Sequence, residues 1–369
     1  MKKFLILTAS FGRGHMSVAE HVKTALDNHP GGFEAKIIDY GEYASGPFAH
    51  SQRSYDATTK YIPKAWQVFF DITNDEKAII GLCNLQLKLS KKRTIELLKK
   101  ERPDMIVITF AGWVYAASKI AKAFDPHIKV VSLATDSITI HLSWMLGDLD
   151  AFIVPDKDTA EIVIEDGMNP QLVKAIGYPV NPKLYDKKFD GAAFLKNQGL
   201  DPNKKSILLI PTLLNKDKTI ELIEQIASSE QYNLSVICGR DKELYRKLHK
   251  SEVAGIVNLV GWTNKMPDYM LASDIIITKA GGSTTQECIA AQKPVIINQI
   301  VPGQEQGNAL YVEKNHLGLV ALTNADIIHA IEQVDKHYKT YQRNLKRVFQ
   351  PDAAGKVADY LTTLLEDQN

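Results

Sequence analysis

The chain has 369 residues, 45% of them apolar and 24% charged, with a formal net charge of +1. That length exceeds the usual single core and favours two domains. The composition excludes disordered, collagen-like and coiled-coil classes, and the near-neutral charge excludes a molecule-wide basic field for nucleic acid.

Three widely spaced cysteines, Cys83, Cys238 and Cys288, exclude a disulfide framework or a paired Cys-x-x-Cys metal site and fit a reducing cytoplasm. The first predicted element is a buried strand, Phe4–Ala9, because the apolar run is too short for a secretory core or a membrane span. Nowhere do eighteen uncharged apolar residues follow one another, so membrane contact is expected to be peripheral.

The loop Ser10-Phe-Gly-Arg-Gly-His15 comes next, ahead of a helix with Val18, Val22, Ala25 and Leu26 among its apolar positions. Gly12 and Gly14 allow close backbone approach, so one reading seats a ligand here with His15 at the mouth of the sheet, suited to take a proton from a hydroxyl. The other reading is a tight strand-to-helix turn capped by His15, and spacing alone does not choose between them. The G-x-G-x-x-G fingerprint fails at Ser17, which disfavours a nicotinamide enzyme.

Trp66, Val68, Phe69 and Phe70 form an apolar stretch, followed by seven basic residues, Lys88, Lys91, Lys92, Arg93, Lys99, Lys100 and Arg102, against Glu96 and Glu101. Near an anionic leaflet each cation contributes about 1 kcal/mol, so this helix is a candidate for holding the chain at a membrane face. The alternative is a solvated basic face with the aromatic cluster turned to the core.

Strands are predicted at Ala35–Ile38, Met105–Thr109, Val130–Leu133 and Ala151–Val154, alternating with helical patterns as in a parallel sheet with crossover helices. Asp148-Leu-Asp150 and Asp156-Lys-Asp158 flank the last of these. Carboxylates so spaced can hold a divalent cation against phosphates, but they occupy ordinary turn positions, and no metal site is expected. The prolines of Gly177-Tyr-Pro-Val-Asn-Pro182 lock the chain extended and mark a boundary. The expected division is 1–178, 179–350 and a terminal helix in 351–369.

A second strand set follows, Ser206–Ile210, Leu234–Cys238, Ile256–Val260, Ile275–Thr278 and Val295–Asn298, giving two Rossmann-like units. Ile275–Thr278 runs into Lys279-Ala-Gly-Gly-Ser-Thr-Thr285 and a helix. Gly281 and Gly282 would turn free amides and a positive helix end toward a diphosphate, with Ser283 and Thr284 capping or donating and Glu287 within reach of a ribose diol. Gln304, Glu305 and Asn308, in Val301–Asn308, are planar groups of the kind that bind vicinal hydroxyls. The plainer alternative is a capping box from Ser283 or Thr284 to Glu287 and a solvated loop. The last amphipathic helix, about Ala353 to Leu365, carries Val357, Tyr360, Leu361 and Leu364, and periodicity does not say which domain it covers.

Seven segments together resemble the monogalactosyldiacylglycerol synthase and processive diacylglycerol glucosyltransferase family, which is related to the enzyme that adds N-acetylglucosamine to lipid-linked muramyl-pentapeptide. They are Ala9–His15, Thr135-Asp136 through His141 and Trp144, Gly177–Pro182, Ile237–Arg240, Gly261–Met266, Asp274–Gly282 and Pro302–Glu305, in the family's order over nearly the whole chain. The resemblance implies an α/β GT-B fold, two Rossmann-like domains facing across a cleft, with the acceptor on the first and the nucleotide on the second. It implies His15 and Asp136 as the catalytic pair, and Gly12, Gly14, His141 and Trp144 on the acceptor side.

On the donor side it implies Gly261, Trp262, Thr263 and Met266 around the uracil, Gly281–Thr284 on diphosphate, Glu287 on ribose, and Gln304, Glu305 and Asn308 about the sugar. The expected reaction is inverting, metal-independent transfer from a UDP-sugar co-substrate, with no other cofactor, to a lipid such as diacylglycerol. The expected location is cytoplasmic, peripheral on the inner face of the cell membrane, against anionic phospholipids and without nucleic acid. One departure is the glycine-free turn Pro211-Thr-Leu-Leu-Asn215, where relatives carry glycines that meet diphosphate. The alternatives are a nucleotide-sugar epimerase of the same plan and a non-catalytic nucleotide-sugar-binding module.

Overall fold

A computed structural model describes residues 2–10, 14–43, 63–211, 216–303 and 305–366. Its contacts divide the chain into two compact units, the first formed by 1–180, 302–307 and 352–369 and the second by 181–301 and 308–351.

The first unit holds a six-stranded, all-parallel sheet in the order β2-β1-β3-β4-β5-β6, with β1 Lys3–Thr8, β2 Glu34–Asp39, β3 Met105–Ile108, β4 Lys129–Leu133, β5 Ala151–Val154 and β6 Val173–Ala175. The central strands are apolar runs buried on both faces, as a sheet covered by helices on each side requires. Leu5, Leu7, Ile106, Ile108, Val130, Trp144 and Phe152 build one core cluster with Trp113. The strand order reverses between β1 and β3, and ligands gather beyond the carboxyl ends of strands at such a switch point.

Four helices of this unit matter for the site. Helix α1 (Gly14–Asp27) follows β1, and α2 (Pro63–Thr73) leads into α3 (Glu76–Glu101). Asp75 caps α3 by accepting from the Lys77 and Ala78 amides, and Arg102 ends it in the left-handed region, donating to the Leu98 carbonyl. All seven basic residues of the 88–102 stretch are exposed. On α2, Val68, Phe69 and Ile72 stand open while Phe70 turns inward, so the apolar stretch is split between solvent and core. Helix α5 (Lys157–Glu165) follows β5 and is capped by Asp156.

The second sheet is also parallel, in the order β12-β11-β10-β7-β8-β9, from β7 Ser206–Leu209, β8 Asn233–Ile237, β9 Asn258–Val260, β10 Ile275–Lys279, β11 Val295–Gln299 and β12 Gly318–Val320. Its switch point falls between β10 and β7. Ile207, Leu209, Ile223, Leu234, Val236, Ile275, Ile277 and Ile296 form its core.

Two differences from the sequence reading have local causes. β6 and β12 were not predicted; each is a three-residue edge strand, too short to display a period. Ile256 lies outside β9, because the 3₁₀ turn Glu252–Gly255 ends there and leaves its side chain 61% exposed. The last helix, Ala353–Glu366, packs against α1 and belongs to the first unit. Its buried stripe is Ala353, Val357, Ala358, Leu361 and Leu365, and His29 Nε2 meets Asp359 3.2 Å away.

Candidate functional site

His15 sits in the first turn of α1, just past the β1 end of the switch point. Its Nδ1 lies 2.9 Å from the carbonyl of Thr109, the residue after β3, and 2.9 Å from Thr135 Oγ1, beyond β4. A carbonyl only accepts, so Nδ1 carries the hydrogen and Nε2 keeps its lone pair. Burial lowers the imidazole to about 4, opposed by the Thr109 hydrogen bond, so the ring is neutral at physiological pH. Phe110 packs edge-on at 5.0 Å between ring centroids and Trp144 at 6.4 Å.

The segment from Thr135 to Trp144, between β4 and β5, is pinned at several points. Thr135 holds His15, and Asp136 follows it, partly open to solvent. The Ser143 amide donates to His141 Nδ1, so His141 Nε2 bears the hydrogen and faces Thr73 Oγ1 at 3.2 Å, at the end of α2. Burial lowers His141 as well, to about 4, with a hydrogen bond to the Phe70 carbonyl acting the other way. His141 therefore ties α2 to this segment. Trp144 is only 2% exposed and lies within the core cluster, so it packs near His15 as part of the core and offers no open ring face to an acceptor. Gly14 opens α1; Gly12 lies outside the described residues.

In the second unit, α9 (Met266–Ala272) follows β9 through Gly261, Trp262 and Thr263. Thr263 Oγ1 accepts from the Lys265 amide at 3.0 Å and shapes that turn, Trp262 is 57% exposed, and Met266 begins the helix. Helix α10 (Gly282–Ala290) follows β10, with the extended Gly281 as its cap. A glycine cap supplies no side-chain acceptor, so the amides at Gly282, Ser283 and Thr284 form a positive end of the kind that receives an anion. Glu287 lies on the same helix, partly buried.

The approach to that helix is fixed from two sides. The Ala280 amide donates to the Gln299 carbonyl at 2.9 Å, and Asn308 Nδ2 donates to the Ala280 carbonyl at 3.0 Å. Asn308, expected about the sugar, is 1% exposed and holds the backbone just before α10 in place. Glu305 is likewise buried, while Gln304 and Thr212–Asn215 lie outside the described residues. The four carboxylates of the Asp-x-Asp triplets have structural places: Asp148 pairs with Lys119, Asp150 with Lys122 and Lys129, Asp156 caps α5, and Asp158 stands in its first turn.

Sequence reasoning missed Thr109, which orients His15 but carries no motif of its own. It also missed Asn298 and Gln299 at the end of β11, whose side-chain carbonyl oxygens are buried without a partner among the described residues. The register between β10 and β11 slips there, so Asn298 is an extra residue in the ladder. Bulges of this kind re-aim side chains beside functional sites.

Residues 15–180 match the family model described as monogalactosyldiacylglycerol (MGDG) synthase, and residues 208–359 that of the glycosyltransferase family 28 C-terminal domain. A processive diacylglycerol beta-glucosyltransferase of Staphylococcus epidermidis is 30% identical over 349 residues, covering 92% of this chain and 86% of that protein. Among solved structures, a UDP-GlcNAc 2-epimerase from Neisseria meningitidis aligns over all of both chains with a TM-score of 0.60 at 13% identity. A lipopolysaccharide outer core galactosyltransferase aligns over 98% of this chain and 99% of that one, with a TM-score of 0.54 at 13% identity. At such low identity the two solved structures establish the fold, GT-B with two Rossmann-like units. The sequence relationship goes further: this chain belongs to the monogalactosyldiacylglycerol synthase and processive diacylglycerol glucosyltransferase family of glycosyltransferases.

Proposed function

We propose that the protein moves a hexose from a UDP-sugar to the hydroxyl of diacylglycerol, with inversion and without a metal ion. One observation carries the chemistry: His15 is neutral, its Nδ1 hydrogen committed to the Thr109 carbonyl, so that Nε2 is left as a proton acceptor at a switch point of the first sheet. The acceptor hydroxyl gives its proton to Nε2 while its oxygen bonds to the anomeric carbon. The bond from that carbon to the diphosphate breaks, and UDP leaves with the electron pair. The glycine-capped start of α10 supports a role in stabilising the departing charge.

In this reading Asp136 assists His15, Glu287 holds ribose, Gly261–Thr263 and Met266 receive the uracil, and Gln304 and Glu305 the sugar. The relatives' name supports glucose as the first donor to try and diacylglycerol as the acceptor. No described helix is long and apolar enough to cross a membrane. The open apolar residues Val68, Phe69, Ile72, Leu82 and Leu85, next to the exposed basic run of α3, support peripheral docking on anionic phospholipid at the cytoplasmic face.

The test is to offer UDP-glucose, UDP-galactose and UDP-N-acetylglucosamine with and without diacylglycerol in anionic mixed micelles, measuring free UDP and lipid products. Diacylglycerol-dependent UDP release with a new glycolipid is expected. Lipid-independent interconversion of the N-acetyl sugar, or nucleotide binding without turnover on any acceptor, would reject the proposal.

A further inference from the structure

Ile138 has φ of +65°, and of the six described non-glycine residues with positive φ it alone is β-branched. That region is hostile to such a side chain, and residues held there cluster at functional sites. The Thr139 amide donates to the Ser137 carbonyl at 2.8 Å across it, closing a γ-turn of the strained hand two residues after Asp136. A glycine would take this shape freely; an isoleucine needs something to hold it.

The holder comes from α5. The Ile138 amide donates to Thr159 Oγ1 at 3.1 Å, and Thr159 spends its own hydroxyl hydrogen on Asp156 Oδ1 at 2.8 Å. The Thr159 amide donates to the same oxygen, also at 2.8 Å. Thr159 is wholly buried, and Ser137 and Asp156 nearly so. Burial pushes the Asp156 carboxyl up, against hydrogen bonds from Thr159 and Ser137. The span from Thr135, bonded to His15, to the turn at Ile138 thus has a fixed point at each end, with Asp136 between them.

We propose that Thr159 and Asp156 are positioning residues of the transfer reaction: through the Ile138 amide they hold a strained turn that sets Asp136 and, through Thr135, the His15 ring. This rests on the function proposed above. A side chain misplaced by about 1 Å costs on the order of a hundredfold in rate, so a turn that relaxes should be read in kcat.

The test uses the full chain with UDP-glucose and diacylglycerol in mixed micelles, alongside amide hydrogen exchange over residues 136–141. Thr159→Val keeps shape and removes the acceptor; it should lower kcat about tenfold or more while the donor KM stays within about twofold, and speed exchange in the turn. Thr159→Ser should restore kcat to within about threefold of wild type, and Ile138→Gly added to Thr159→Val should recover much of the loss, because glycine takes the turn without help. If Thr159→Val does not fold, Asp156→Asn weakens the clamp more mildly and should give the same split between kcat and KM. Unchanged exchange in a folded Thr159→Val or Asp156→Asn overturns the proposal whatever the activity; so does faster exchange with wild-type kcat. A wild-type protein that transfers nothing rejects the function itself, and the exchange measurement then decides alone whether Thr159 holds the turn.

Discussion

Replacing His15 by glutamine should remove a defined share of the protein's acid sensitivity. In the folded chain burial lowers this imidazole from 6.5 to about 4, so between those values the unfolded state binds the proton and the folded state does not. Stability must then fall as pH drops through 6.5 and level off below about 4. At about pH 5 nearly every unfolded His15 is protonated and nearly every folded one neutral, which makes the loss relative to about pH 7.5 on the order of 2 kcal/mol for this residue. His141, lowered by a similar amount, adds a comparable share. Urea unfolding of wild type and His15→Gln at the two pH values, followed by the fluorescence of Trp113 and Trp144 in the first core, measures it. The variant should lose about 2 kcal/mol less than wild type on acidification, since other groups cancel in the comparison. Equal losses in the two proteins would mean that His15 is not buried as a neutral ring, and the proton-acceptor argument would fall with it.

Transfer activity should stay flat as the assay is taken down from about pH 8 to about pH 5.5, because protonation of His15 begins only nearer 4; an acid limb centred near 6.5 would contradict the buried ring. Glu287→Ala should weaken UDP affinity about tenfold in titration calorimetry, and unchanged affinity would remove Glu287 from the ribose. Asn308→Ala leaves the buried Ala280 carbonyl without its donor, so the donor KM should rise and stability fall by about 1–3 kcal/mol; a rise in KM without loss of stability would instead favour direct sugar contact. Phe69→Asp with Ile72→Asp should abolish co-sedimentation with anionic vesicles and leave turnover of a short-chain, micellar acceptor intact, since both side chains are half exposed.

The parts of the fold that were legible in the sequence are those that repeat. Long buried strands such as Ile275–Lys279 announce themselves by composition, and a glycine pair directly after one points to a helix start open to an anion. What stayed hidden depends on partners far away in sequence. Thr109 reaches His15 across 94 residues, and nothing beside either residue marks the pairing. Asn308 was read from its chemistry, and Trp144 from the family resemblance, as ligand-facing, but a buried amide also serves to hold a backbone carbonyl, and an indole also serves as filling. His141 follows the same pattern, spending its ring on Ser143 and the end of α2. The turn at Ile138 was invisible, because isoleucine there argues locally for a strand and only Thr159 makes the observed shape tenable.

The last helix, Ala353–Glu366, completes the unit that the first residues begin. During synthesis the ribosome must therefore deliver the entire second sheet before the first unit can close, and until then the side of α1 that the helix covers stays bare. Any attempt to produce residues 1–180 alone would yield a fragment with an open apolar seam, prone to aggregate unless 353–366 is supplied as a separate peptide or spliced on directly.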